Sequence, residues 1–308
     1  MRYFLGIDLG DEELIYGLTD GVGKLLFKGE FPIEAKEGAD DIVAAIKRAI
    51  DIVTHFSITE SYPISGMGIS TAGLVDTIVG KVVKGVNTIP SWDNIALSEL
   101  LNDYVDYPIY VDNQAKTRCL AEHLYGAGRN LTDLVYIYVG KHLDGALFID
   151  NKPFNGYKNR GAGFGQIPVS VVEQQGKVCT LNEVASIEAL LKSYRTLLEK
   201  NGKEVPEELS AKYFFDQFLG GEYEAKSVFA MVSTYLCGTI AGFINIFSPQ
   251  KVILGGDFEL IDDVILFELQ SKIKQYVVDI SSTHTELGRA TLKNSAGCIG
   301  AAALVYTA

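Results

Sequence analysis

Two stretches of this chain open in the same way, and that likeness constrains the fold more than any other feature. Tyr3-Phe-Leu-Gly-Ile-Asp-Leu-Gly10 is an apolar strand ending in a polar turn, with a returning strand from Leu14 to Thr19 and a third from Lys24 to Phe31. Asp133-Leu-Val-Tyr-Ile-Tyr-Val139 repeats the device. It runs through the turn Gly140-Lys-His-Leu-Asp-Gly145 into a returning strand, Ala146 to Ile149, with Asp150-Asn151 as a hairpin turn. Short β-branched and aromatic runs separated by Gly-containing turns predict antiparallel hairpins. A weak internal repeat of this kind predicts two domains of one topology facing each other across a cleft. At 308 residues the chain is long enough for both.

Between and after the hairpins, helical and strand patterns alternate, which predicts an α/β protein on mixed sheets. Gly38 to Phe56 places Ile42, Ala45, Ile46, Ile50 and Val53 on one helical face. Ser65 to Thr71 reads as a strand with the polar exit Ala72 to Asp76. Asn87 to Asn94 is a loop holding the only tryptophan, followed by a helix from Leu97 to Tyr104. Pro108 to Val111 is a strand that hands over to a helix through the polar elbow Asp112-Asn113-Gln114. The carboxyl end of a strand in an open α/β sheet is where ligands bind, so this elbow is a candidate site for a polyhydroxylated or anionic small molecule. An Asx-type helix cap is the plainer reading of the same residues. In the second half, helices are expected at Leu181 to Lys200, Ser210 to Leu219, Glu224 to Phe247 and Asp263 to Tyr276. Lys251 to Leu254 is a strand ending in Gly255-Gly-Asp257, and Ser295 to Leu304 is a helix of small residues packed closely on something.

Composition removes several function classes. Lys plus Arg 27 against Asp plus Glu 39 gives a net charge of −12, which repels nucleic acid phosphates. The N-terminus runs straight into a strand pattern, and no run of about 18 apolar residues stands out, so a cytoplasmic protein is expected. Cys119, Cys179, Cys237 and Cys298 form no C-x-x-C pair, and His55, His123, His142 and His284 are scattered. Neither a disulfide framework nor a clustered zinc site follows from such spacing.

Five short motifs in order carry a resemblance over nearly the whole chain. They are Gly6-Ile-Asp8-Leu-Gly10, Gly85-Val-Asn87-Thr-Ile-Pro-Ser-Trp92-Asp-Asn94, Tyr110-Val-Asp-Asn113-Gln-Ala115, Val252-Ile-Leu-Gly-Gly256 and Ala296-Gly-Cys-Ile-Gly-Ala-Ala302. In these the chain resembles the ROK family of bacterial sugar kinases and sugar-responsive regulators. The resemblance implies a two-domain actin-like ATPase (ribonuclease H-like) fold with a central inter-domain cleft. Its first domain would be residues 1–116 plus a C-terminal helix at about 293–308, and its second residues 117–292. It also implies a homodimer. Family regulators that bind DNA carry an extra N-terminal winged helix, whereas this chain begins at the first sheet strand, so direct nucleic acid binding is not expected.

The departures from the family pattern fall where chemistry would sit. The elbow there reads Asn-Asp, the Asp being the general base toward the sugar hydroxyl; the matching residue here is Gln114. An amide cannot take that proton, and a missing base costs roughly 10²–10⁴ in rate. Asp112 matches the family's acidic residue two positions earlier. After the strand acid Asp8 the family continues Gly-Gly-Thr, but this chain has Gly10-Asp11-Glu12. A carboxylate about 4 Å from a phosphate charge is repelled by roughly 4 kcal/mol at a protein surface. In the second phosphate loop, Gly140 is followed by bulky Lys141, His142 and Leu143. Gln166 stands where the family has a zinc-linked His, and of the cysteine cluster only Cys179 lies nearby, so no structural zinc is expected.

Asn87, Asn113 and Gln166 are sugar-binding candidates, with loop-capping amides as the alternative. Asp8, Gly10, Gly140, Gly255 and Gly256 are the nucleotide-side positions, the last two also explicable by a turn needing positive φ. Lys141, His142 and Asp144 form either a new polar constellation or a solvated turn. The expected function is a ROK-like protein, catalytically impaired, that binds a sugar or another small polar ligand without a required cofactor. The alternative is an active ATP- and Mg-dependent hexose or amino-sugar kinase with a rebuilt base, Asp112 or Asp144. The fold does not choose between them.

Overall fold

The computed structural model describes residues 2–10, 13–33, 38–85, 89–159, 161, 163–172, 177–278 and 284–307. The chain divides into two compact units: residues 1–130 with 155–161 and 292–308, and residues 131–154 with 162–291.

The first unit is built on a five-stranded sheet. Its strands are β1 (Tyr3–Leu9), β2 (Glu13–Asp20), β3 (Leu25–Pro32), β4 (Ile64–Thr71) and β7 (Ile109–Asn113), in the order β3-β2-β1-β4-β7. β1, β2 and β3 pair antiparallel, while β4 and β7 join parallel. The interior strand β1 is buried along nearly its whole length, as expected for a strand covered on both faces. Helix α1 (Ala39–Thr59) lays Ile42, Ile46, Ala49, Ile50 and Val53 into the core, and Asp40 and Asp41 in its first turn complement the helix dipole. The small hairpin of β5 (Leu74–Asp76) and β6 (Lys81–Lys84) and the short helix α2 (Leu97–Asn102) come before β7. Helix α3 (Gln114–Tyr125) follows it directly. A domain boundary at residue 116 would cut α3, whose contacts lie within this first unit.

The C-terminal helix (Ala296–Thr307) explains its own composition. A Cβ on Gly6 would sit 1.8 Å from the Cys298 carbonyl oxygen, one on Gly68 1.8 Å from that of Ala301, and one on Gly300 1.8 Å from that of Thr117. The helix packs backbone-to-backbone on β1, β4 and α3, at a distance only glycine permits.

The second unit repeats the first sheet. β8 (Leu134–Val139), β9 (Leu143–Ile149), β10 (Lys152–Pro153), β13 (Lys251–Gly256) and β14 (Glu286–Arg289) take the order β10-β9-β8-β13-β14. The hairpin is again antiparallel and the two further strands parallel. The internal repeat is therefore one topology used twice. A separate two-stranded ribbon, β11 (Pro168–Val172) with β12 (Lys177–Thr180), lay outside the sequence reading.

The helix expected over Leu181 to Lys200 is two helices, α4 (Leu181–Ala185) and α5 (Ile187–Lys200). Ser186 breaks them because it adopts an extended backbone and caps α5 through Ala189 N–H, while Thr180 and Glu183 form a capping box on α4. Helix α6 is Ala211–Leu219 and α8 is Asp263–Ile273. Helix α7 (Tyr223–Phe247) is long and apolar enough to cross a membrane by length and composition alone. Its Val228, Phe229, Val232, Leu236, Ile240 and Ile244 belong to the second unit's core. Ser, Thr and Gly interrupt its apolar run, which is why no such stretch stood out in the sequence.

Candidate functional site

The elbow is the end of β7 and the start of α3. Asn113 is the N-cap: its Oδ1 accepts from the N–H of Ala115 (2.8 Å) and of Lys116 (3.3 Å), and its Nδ2 donates to the Gly73 carbonyl (2.8 Å). A capping amide so engaged fixes the helix start against the exit of β4. Lys116 Nζ reaches the Asn159 carbonyl at 3.1 Å, and Asn159 Nδ2 donates to Thr77 Oγ1 at 2.5 Å.

Asp112 is half-buried and accepts from the N–H of Asn113 at 2.7 Å. Burial pushes its carboxyl above the ordinary carboxylate range, against the opposing pull of the Lys116 charge and that N–H. An acid raised on folding favours the protonated native state, so its contribution is present below the unfolded pKa and is lost as pH rises through the folded one. Asp112→Asn is therefore expected to stabilise the protein at neutral pH. The gain should shrink toward zero below about pH 4, in denaturant titrations run at a series of pH values.

Gln114 opens α3. Its Nε2 donates to Asp8 Oδ1 at 3.2 Å and faces the Leu9 carbonyl at 3.5 Å. Both neighbours are acceptors, so only the NH₂ end of the amide can face them. Asp8, near the end of β1, is 1% exposed. Its Oδ2 pairs with Arg118 Nη2 at 2.7 Å, and its Oδ1 also accepts from Ser70 Oγ at 2.7 Å. Thr117 Oγ1 lies 2.8 Å from Ser70 Oγ and 2.9 Å from the Gln114 carbonyl. The C-terminal helix closes on the other oxygen: a Cβ at Gly297 would sit 1.9 Å from Asp8 Oδ2.

The loop carrying the tryptophan folds around it. Trp92 is buried and donates from Nε1 to Thr71 Oγ1 at 3.0 Å, while Asp93 accepts from Gly85 N–H at 2.8 Å and pairs with Lys84 at 2.5 Å. Asn87, the sugar candidate of this loop, lies outside the described residues, as do Asp11 and Glu12.

In the second unit the amides of the hairpin turn after β8 are taken up by the turn itself and by Asn182 of α4. Gly140 N–H donates to the His142 carbonyl, Leu143 N–H to Asn182 Oδ1 (2.7 Å) and Gly145 N–H to Asp144 Oδ1 (2.9 Å). The Gly140 carbonyl accepts from Ile187 N–H at 2.9 Å, so the start of α5 docks on the turn. At the end of β13, Gly256 has φ 70° and its N–H donates to Glu259 Oε1 at 3.1 Å. A Cβ on Gly255 would lie 2.0 Å from the Tyr136 hydroxyl oxygen. Both glycines have a local structural reason. Gln166 is the exposed end of a 3₁₀ turn (Phe164–Gln166) whose Phe164 and Gly165 are buried. The four cysteines are free, and no group of three His, Cys, Asp or Glu side chains among the described residues could hold a metal ion.

Comparison with known proteins decides the family. The ROK family profile matches residues 4–308. The chain belongs to the ROK family. A glucokinase from Thermotoga maritima is 27% identical over 314 residues, covering 98% of this chain and 96% of that one. Among solved structures, a ROK family glucokinase from Streptomyces griseus in complex with glucose and AMPPNP superposes with a TM-score of 0.82 at 24% identity, covering 98% of each chain. A ROK family transcriptional regulator, a homologue of the E. coli MLC protein, gives a TM-score of 0.84 at 22% identity, covering 98% of this chain and 77% of that one. The fold is the actin-like ATPase fold of ROK sugar kinases.

Among the described residues, the groups at the family's nucleotide-side positions are already engaged. Asp8 offers a carboxylate already neutralised by Arg118, with both oxygens in hydrogen bonds. The amides of Gly140, Leu143, Gly145 and Gly256 are spent on internal acceptors, where a phosphate cradle needs them pointing outward. Sequence reasoning missed Arg118, Ser70, Thr117, Asn182 and Glu259.

Proposed function

We propose that this ROK protein binds a sugar or another small polar ligand and is impaired in phosphoryl transfer. The observation that carries the reading is Gln114, whose amide occupies the elbow position of the base and donates toward Asp8 and Leu9, where it can accept no proton. Relatives supply the ligand class: they include glucokinases, β-glucoside kinases and xylose repressors, and one solved neighbour was crystallised with sucrose. Asn87 and Gln166 remain the sugar-facing proposals; Asn113 is committed to its cap. The same reading puts the protein in the cytoplasm as a homodimer, with no direct contact to nucleic acid.

One observation favours the second reading, an active hexose or amino-sugar kinase. Asp112 is a carboxylate whose proton affinity is raised by burial, two residues from Gln114, and general bases are tuned in that direction. Calorimetric titration with a panel of hexoses and amino sugars, and separately with Mg-ATP, tests both. Heat from a sugar is expected, with none from Mg-ATP and no sugar-dependent ADP release. Sub-millimolar binding of Mg-ATP together with sugar-dependent ADP formation would sink the first reading. Loss of that turnover in Asp112→Asn would then assign the base.

A further inference from the structure

We infer that Arg118 is a resident cation of the first unit, standing in for a metal ion at Asp8 and making this site independent of divalent cations. A divalent ion bound through a carboxylate needs a free lone pair pointing at open space and, for Mg²⁺, near-octahedral room at about 2.0–2.1 Å. Asp8 provides neither. Oδ2 carries the Arg118 guanidinium at 2.7 Å and is backed by the Gly297 backbone, while Oδ1 is shared by Ser70 Oγ at 2.7 Å and Gln114 Nε2 at 3.2 Å. A carboxylate has about four acceptor positions, and three are filled by donors from two elements, α3 and β4.

Charge leads to the same conclusion. Asp8 and Arg118 sum to zero, and a second cation brought to Asp8 would meet the guanidinium in a buried setting, where repulsion is weakly screened. Arg118 is suited to the position because its fork remains charged at any accessible pH and sits one helical turn beyond Gln114 on α3. Gln114 and Arg118 thus bring an amide and a cation from one helix face to one carboxylate. This role of Arg118 is independent of which sugar the chain takes, so it can fail while sugar binding stands.

Mn²⁺ is the probe, followed by electron paramagnetic resonance on the full chain. Wild type is expected to show no saturable binding. Arg118→Met is expected to bind Mn²⁺ at least about tenfold more tightly, and Asp8→Asn combined with Arg118→Met is expected to lose that gain. Saturable Mn²⁺ binding to wild type that disappears in the double variant would overturn the inference, and so would an Arg118→Met variant that folds but gains nothing. If Arg118→Met does not fold, thermal melts of wild type and the double variant still decide. The wild-type Tm should be unchanged by Mn²⁺ at matched ionic strength, whereas a rise that saturates with Mn²⁺ and is absent in the double variant would refute the role.

Discussion

Replacing Arg118 with alanine is expected to lower stability by about 3–5 kcal/mol, the cost of removing one partner from a buried ion pair. The pair is enclosed, with the Asp8 side chain 1% and the Arg118 side chain 10% exposed. Ser70 and Gln114 would remain as neutral donors, which soften the loss without cancelling the charge. Asp8→Asn with Arg118→Met should also cost less than the two single substitutions added together, because the second change removes the charge that the first one strands. Denaturant titrations of wild type, the single variants and the double variant measure both the loss and this coupling.

What was legible in the sequence was whatever is encoded locally. The doubled hairpin was visible from short apolar runs and Gly turns, and it proved to be one sheet topology used twice. The elbow was visible because Asn113 follows a strand and precedes a helix, the two signals that make a cap. Partners were not legible. Arg118 lies on a helix that is buried almost all round, so periodicity marks no wet face, and its partner is on β1, 110 residues away. Glu122 is another case: fully buried, it accepts from Ala127 N–H at 2.7 Å and Leu292 N–H at 2.8 Å, pinning the end of α3 to the start of the C-terminal segment. A charged residue on such a helix can be flagged as needing a partner, but only the folded sheet supplies it. The break between α4 and α5 was hidden by a helical pattern continuing across Ser186, the N-cap of α5; the Thr180-x-x-Glu183 capping-box spacing marks only the start of α4.

Trp92→Ala should be comparably damaging, at about 3–5 kcal/mol for a fully buried aromatic. The indole is 1% exposed and belongs to the first unit's core with Val75, Val82, Ile89 and Leu97. Its removal also strips Thr71 Oγ1 of the donor that reaches it at 3.0 Å, at the carboxyl end of β4 beside the elbow. Ser91 and Asn94 are at positive φ, and the Asp93 bonds to Lys84 and Gly85 are exposed, so they contribute little on their own. Trp92→Phe keeps most of the buried area and loses only the N–H, and should cost clearly less than Trp92→Ala. With Asn87 facing a sugar as proposed, both variants should weaken that binding in the same rank order as their stabilities. A Trp92→Ala protein that stays folded with unchanged sugar affinity would remove this loop, and Asn87 with it, from the binding site. An affinity lost in Trp92→Phe as well, at near wild-type stability, would instead give the indole N–H and Thr71 a direct part in holding the loop in its binding shape.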